Sequence, residues 1–179
     1  MEGELALEAA RRARAGDLVA FEALAERHAP DLYRLAVAIV GEGDARDLTQ
    51  ESLLAAWTQL PSLRDPERIL PWMRRILVNR CRNHLRARGR RTAAVDLDSA
   101  EVGADGDFTD PVHARLVLDG AFERLTDDQR AVLALHYAAG LSIRDAAEVL
   151  GLRVGTVKSR LNAALTVMRR AIGSAGDEA

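Results

Sequence analysis

Residues 140–165 read GLSIRDAAEVLGLRVGTVKSRLNAAL, two apolar-periodic runs hinged at LGLRVG. Ser142 is placed to cap the first run, Ile143 to Leu150, and Gly151 supplies the turn that follows it. The second run extends from about Val154 to Ala171, with Val157, Leu161 and Leu165 on one stripe at helical spacing. Thr156, Lys158, Ser159, Arg160 and Asn162 are left to face outward or flank that stripe, and positions 153–170 hold five bases and no acid. Two helices joined by so short a turn form a helix-turn-helix, and the second presents a polar surface. Such a helix fits the DNA major groove: Gly155 permits close backbone approach, Thr156 can donate to a phosphate, and the helix dipole adds positive charge at that end. By chemistry, Lys158, Ser159 and Asn162 are the base readers and Arg144, Arg153 and Arg160 the phosphate partners. The competing reading of the segment is a solvated helical hairpin in a bundle.

Upstream, LTDDQRAVLALHYAAG opens with Thr126 followed three residues later by Gln129, the reciprocal arrangement that satisfies orphan backbone donors at a helix start, and Gly140 closes it. Asp127 and Asp128 are read as favourable helix-start charges. Before this comes TAAVDLDSAEVGADGDFTDP, with no sustained helical period; positions 92–113 carry six acids and no base. It is expected to be a flexible linker at 92–112, joining a domain at 1–91 to one at 113–173, with a tail at 174–179.

The front domain reads as helices throughout. One runs to about Ala15; Gly16-Asp17 breaks the pattern; a second begins near Asp17, with Pro30 a candidate interruption, and ends at Gly41. DARDLTQESLLAAWTQL follows, with Asp44 as expected N-cap, Leu53, Trp57 and Leu60 as the buried stripe and Asp47, Gln50 and Glu51 exposed; Pro61 stops it. After PSLRDPERILP comes WMRRILVNRCRNHLRARGRR, in which Met73, Leu77 and Cys81 share one side. Arg75, Asn79, Arg82 and Arg86 line another, and positions 72–91 hold eight arginines and no acid.

Composition sets the bounds. The 179 residues are 48% apolar and 29% charged but only 4% aromatic, as in a soluble, folded, all-α chain of two small helical domains. The net charge of −2 conceals two basic blocks around an acidic one, which suggests two separate polyanion-facing surfaces. A single cysteine excludes an internal disulfide, and the four histidines have no metal-ligand spacing, so neither metal nor cofactor is expected. No window approaches the ~18 apolar residues of a membrane span, so no membrane insertion is expected and a cytoplasmic location is. No phosphate-cradling glycine loop or nucleophile with its base suggests an enzyme.

LTDDQRAVLALHYAAGLSIRDAAEVLGLRVGTVKSRLNAA resembles the carboxy-terminal domain (sigma4) of extracytoplasmic function (ECF) sigma factors of the sigma-70 family, with GTVKSRL its most specific piece. DARDLTQESLLAAW and WMRRILVNRCRNHLRARGRR are similar to that family's sigma2 helical bundle. The resemblance implies a subunit that binds core RNA polymerase, through the clamp helices of the largest subunit and the flap of the second, and directs initiation from promoter DNA. It further implies an anti-sigma partner.

By position, Asp47, Gln50 and Glu51 fall in the polymerase-docking motif. Leu63, Arg75, Asn79, Arg82 and Arg86 fall in the region for the −10 element, where the loop 61–71 is implied to hold an unstacked base. Arg144, Arg153, Thr156, Lys158, Ser159, Arg160 and Asn162 fall in the region for the −35 element. The sequence departs from the family in that Leu63 stands where an aromatic residue is frequent, and Ala163 and Leu165 where bases are frequent. Two other functions stay open: a stand-alone helix-turn-helix regulator, and a sigma-like decoy that titrates an anti-sigma factor.

Overall fold

The computed structural model describes residues 2–93, 118 and 120–176, with only the backbone described at 2, 3, 91–93 and 173–176. Among the described residues all regular structure is helical. The order is α1 (Glu2–Arg14), α2 (Leu18–Val40), α3 (Glu42–Gln59), two single 3₁₀ turns (Leu60–Ser62 and Pro66–Arg68) and α4 (Ile69–Ala93). After a helical stretch at 120–123 come α5 (Asp127–Leu133), a π-helical turn (Ala134–Ala138), α6 (Ile143–Leu150) and α7 (Val154–Gly176). The expected linker lies outside the described residues except for positions 92 and 93, which continue α4; α7 likewise runs past the expected domain end at 173.

Local chemistry explains the boundaries. Asp17 caps α2, accepting from the Ala20 N–H at 3.0 Å; that bond, followed by the Arg12 guanidinium, holds its carboxyl below the usual range. Pro30 does not interrupt α2. The carbonyl deprived of its partner belongs to Glu26, an exposed residue, where the loss costs least. Asp44 is not the N-cap of α3: the helix starts earlier, after Gly41, whose φ of 84° suits glycine. Asp44 is released to face α4, 3.0 Å from His84 Nε2 and 3.6 Å from Arg88 Nη1.

The buried face of α3 also differs from the expected leucine stripe. It consists of Ala45, Leu48, Thr49, Ser52, Ala55 and Ala56, while of the expected stripe Leu53 and Trp57 are half-buried at its flank and Leu60, just past the helix, is buried. Thr49 and Ser52 donate their hydroxyls to Ala45 and Leu48 carbonyls at 2.7 and 2.6 Å, so small polar side chains can be buried in the close packing against α2 and α4.

In the second half the caps fall where the sequence puts them. Thr126 and Gln129 make both halves of the capping box, Ser142 Oγ accepts from Asp145 N–H, and Gly151 ends α6 in the left-handed region. The π turn is closed by the Leu141 N–H donating to Leu135 O and by His136 Nδ1 donating to Leu141 O at 2.7 Å.

One hydrophobic cluster runs through both halves, from Ala10 in α1 through Leu35, Leu77 and Leu85 to Leu135, Val149 and Leu161. α4 packs across α5 and α6, and α2 across α5 and the π turn. Burial of each large side chain contributes about 1.5–3 kcal/mol, enough to fix the helices that carry the polar faces.

Candidate nucleic-acid and docking surfaces

The buried side of α4 fixes which way its arginines point. Met73, Leu77, Val78 and Cys81 are in the core, and burial pushes the Cys81 thiol up to about 12, so it behaves as a small apolar group. Arg75, Asn79 and Arg86 are exposed, whereas the Arg82 side chain is only 17% exposed. In α7, Val157, Leu161 and Ala164 are buried, with Leu165 half-buried. Lys158, Ser159 and Asn162 are exposed, Thr156 and Arg160 half-buried, and Arg144 and Arg153 exposed on α6 and on the turn. Ser159 donates its hydroxyl to Thr156 O at 3.0 Å, leaving its oxygen to accept from a ligand.

The two basic helices are not as separate as their spacing in sequence suggests. Arg82 of α4 donates to Asp128 Oδ1, and Arg160 Nη2 of α7 lies 2.9 Å from Oδ2 of the same carboxylate. Arg86 lies 3.9 Å from Asp127 and 3.7 Å from Asp128. Further along α4, a Cβ at Gly151 would come within 3.3 Å of Arg75 Nη2, so the guanidinium lies against the turn of the helix-turn-helix. Arg68 donates to Glu148 of α6 at 2.8 Å. Sequence reading treated Asp127 and Asp128 as helix-start charges only; nothing local in it signals arginines about 45 residues upstream.

On α3, Asp47, Gln50 and Glu51 are all exposed, and Glu51 accepts from Arg80 Nη1 at 2.9 Å. Leu54, 69% exposed, continues the same i, i+3, i+4, i+7 face and gives it an apolar centre that sequence reading missed.

Leu63 requires a correction. It is 4% exposed and belongs to the core, so in this conformation it anchors the stretch between the two 3₁₀ turns and does not present a surface to a base; residues 69–71 of the expected loop form the first turn of α4. The loop borders an apolar cavity of about 510 Å³ lined by Leu7, His28, Pro66, Ile69 and Leu70. Burial, then the charges of Arg27 and Arg74, outweigh Asp31 and hold His28 below its ordinary pKa, while burial also lowers Arg74.

Among the described residues no group of three or more His, Cys, Asp or Glu side chains could hold a metal ion, and no helix is long and apolar enough to cross a membrane.

Residues 24–91 match the family described as Sigma-70 region 2, and residues 115–168 match Sigma-70, region 4. The chain is 32% identical over 162 residues to the ECF RNA polymerase sigma-E factor of Escherichia coli strain K12, covering 84% of this chain and 85% of that protein. It is 35% identical over 161 residues to the ECF RNA polymerase sigma factor SigM of Mycobacterium tuberculosis, covering 89% and 80%. Among solved structures it is similar to CnrH in complex with the cytosolic domain of CnrY, with a TM-score of 0.69 and 27% identity over 95% of this chain and 98% of that one. It is also similar to the sigma factor RpoE in complex with the anti-sigma factor NepR from Bartonella quintana, with a TM-score of 0.65 and 26% identity over 86% and 96%.

Proposed function

This chain belongs to the ECF branch of the sigma-70 family, and from that membership we propose how its two halves divide the work of starting transcription. The front half docks on core RNA polymerase through α3 and engages the −10 element through α4. The second half binds the −35 element as duplex through α7. The observation that carries the reading is the outward face of α7, where Lys158, Ser159 and Asn162 are exposed on a rigid, acid-free helix with Arg153 at its entry.

A carboxylate and amide face with one exposed leucine suits a basic partner surface, so Asp47, Gln50, Glu51 and Leu54 are assigned to the polymerase. Asn79 and Arg75 are the exposed polar groups of α4 offered to the −10 strand, with Arg82 and Arg86 as phosphate partners. Arg144, Arg153 and Arg160 take backbone phosphates at −35, and Thr156, Lys158, Ser159 and Asn162 the groove. The chemistry of RNA synthesis belongs to the polymerase; this subunit supplies specificity and acts in the cytoplasm. An anti-sigma partner, as carried by the Bartonella quintana structure, is proposed for this chain as well.

The test is reconstitution with bacterial core polymerase on a promoter library, with and without the protein. Transcription starts behind a shared bipartite motif are expected. Asp47→Ala is expected to weaken attachment to core, and Lys158→Ala to weaken use of promoters that depend on −35. No added initiation, alongside tight duplex binding by the free protein, would instead identify a stand-alone regulator.

A further inference from the structure

We propose that the cavity between α1, α2 and the 3₁₀ turn entering α4 is a binding site for an uncharged, mainly apolar small molecule that carries one N–H or O–H donor. Its volume of about 510 Å³ is within the range of small-molecule sites. Leu7, Pro66, Ile69 and Leu70 give it apolar walls, and His28 is set among them. None of these is among the residues assigned to polymerase, the −10 strand or the −35 duplex, so the site is independent of those assignments.

His28 carries the inference. It is only 9% exposed, and among the described residues none hydrogen-bonds its imidazole. A buried polar group without a protein partner is paired with water or with a ligand. Burial first, then the charges of Arg27 and Arg74, favour the neutral ring, so one of its nitrogens is an acceptor. The other described histidines find partners within the fold: His84 lies 3.0 Å from Asp44, and His136 bonds the Leu141 carbonyl.

The surrounding charges select the class of occupant. A cation would be buried near Arg27 and Arg74, the groups that already oppose protonation of His28. An anion would meet Glu4 and Glu67, which line the cavity and are exposed. An uncharged molecule avoids both costs, giving its donor to the imidazole while its apolar body covers the walls. One wall is built in advance: Asp65 caps the 3₁₀ turn, accepting from the Glu67 N–H at 3.0 Å, and Ile69 just beyond it is buried. An occupant touches three elements of the front half at once and so stabilises that half by mass action.

The experiment uses the full chain with nitrogen-15-labelled histidine, and indole as the probe. Indole is expected to bind saturably, to shift the ring-nitrogen resonances of His28 and to raise the urea midpoint of unfolding. The His28 signals are identified by their loss in His28→Gln. N-methylindole, which has the same shape but no N–H, is expected to bind about tenfold more weakly. Benzoate, an anion of similar size, is expected to bind at least about tenfold more weakly as well. Ala6→Phe, at a half-buried lining position of α1, puts a ring into the cavity and is expected to abolish binding while circular dichroism shows the helices retained.

Absence of saturable binding leaves the cavity to water and overturns the site. Equal affinity for indole and N-methylindole overturns the role of His28, and tighter binding of benzoate overturns the uncharged class. Undiminished binding to Ala6→Phe places indole elsewhere on the chain and overturns the site too. Competitive displacement of indole by a single-stranded −10 oligonucleotide would assign the cavity to an unstacked base and overturn a separate small-molecule site. If His28→Gln misfolds, the methylated probe and Ala6→Phe still decide the outcome.

Discussion

Helices α4 and α7 are signalled in the sequence by the same feature, a run of bases without acids, yet they end in different company. On α7, Lys158 and Asn162 remain exposed on the outer surface. On α4, Arg82 is largely covered and bonded to Asp128, and Arg75 lies against the turn at Gly151. An acid-free stretch therefore shows that a helix has no local counter-charge. It says nothing of carboxylates brought from another part of the chain: α4 receives Asp44 and Glu51 from α3 and Asp127 and Asp128 from α5, and on α7 Arg160 shares Asp128. The buried sides of the two helices, by contrast, are equivalent parts of one hydrophobic cluster.

That equivalence gives the largest expected effect. Leu77→Ala in α4 and Leu161→Ala in α7 each remove a core leucine and should each lower stability by about 2–5 kcal/mol, measured by urea unfolding. A much smaller loss at Leu161 would break the equivalence and make α7 an appendage of the core. The outward faces are compared next. Lys158→Ala should reduce initiation at −35-dependent promoters by about 1–3 kcal/mol, roughly 5- to 150-fold, with selectivity relaxed at the base it reads. Arg153→Ala should weaken DNA binding across sequences alike and flatten the salt dependence by about one logarithmic unit per logarithm of salt. Equal loss of selectivity from both changes would erase the division between base reader and phosphate partner.

A smaller effect is expected at the start of α5. Thr126→Ala removes one half of the capping box and should cost about 1 kcal/mol of stability, read from the shift in the urea midpoint. Because the same turn carries Asp127 and Asp128, this change links the comparison of α4 with α7 to the helix lying between them.

What was legible in advance follows the range of the interactions. Caps and glycine turns are local, so Thr126, Gln129, Gly140, Ser142 and Gly151 could be read directly, and with them the helix-turn-helix. The buried side of α4 was legible from period alone, and that of α7 at Val157 and Leu161, whereas Ala164 is buried and Leu165 only half-buried. The start of α3 was misread because Asp44 is a good capping residue by type; its carboxylate is engaged by His84 and Arg88, 40 or more residues away. The buried face of α3 was misread because hydrophobicity singles out Leu53 and Trp57, whereas close helix packing selects Ala45, Thr49 and Ser52 for their size. Among the candidate site residues, the exposed set on α3 and α7 follows from helical period. The coverage of Arg82, the burial of Leu63 and the exposure of Leu54 depend on tertiary contacts that no window of sequence contains.

The smallest expected effect is a slope, and it too separates the two helices. His28 of α2 is buried, and the positive charges that disfavour its protonation belong to Arg27 and to Arg74 near the start of α4. Its pKa is lower in the folded chain than the ordinary 6.5, so as the pH falls below that value the unfolded chain takes up the proton first. The stabilisation is fully present above the ordinary value and is lost as the pH falls through the folded one, with a slope of at most about 1.4 kcal/mol per pH unit for one proton. Both tryptophans, Trp57 and Trp72, lie in the half containing α4, so their fluorescence in urea unfoldings at pH 7.5, 6.5 and 5.5 reports on the right region. His28→Gln should give a flatter pH dependence than wild type across that interval. Equal slopes in the two proteins would move the acid sensitivity away from α4 and leave His28 as a packing residue alone.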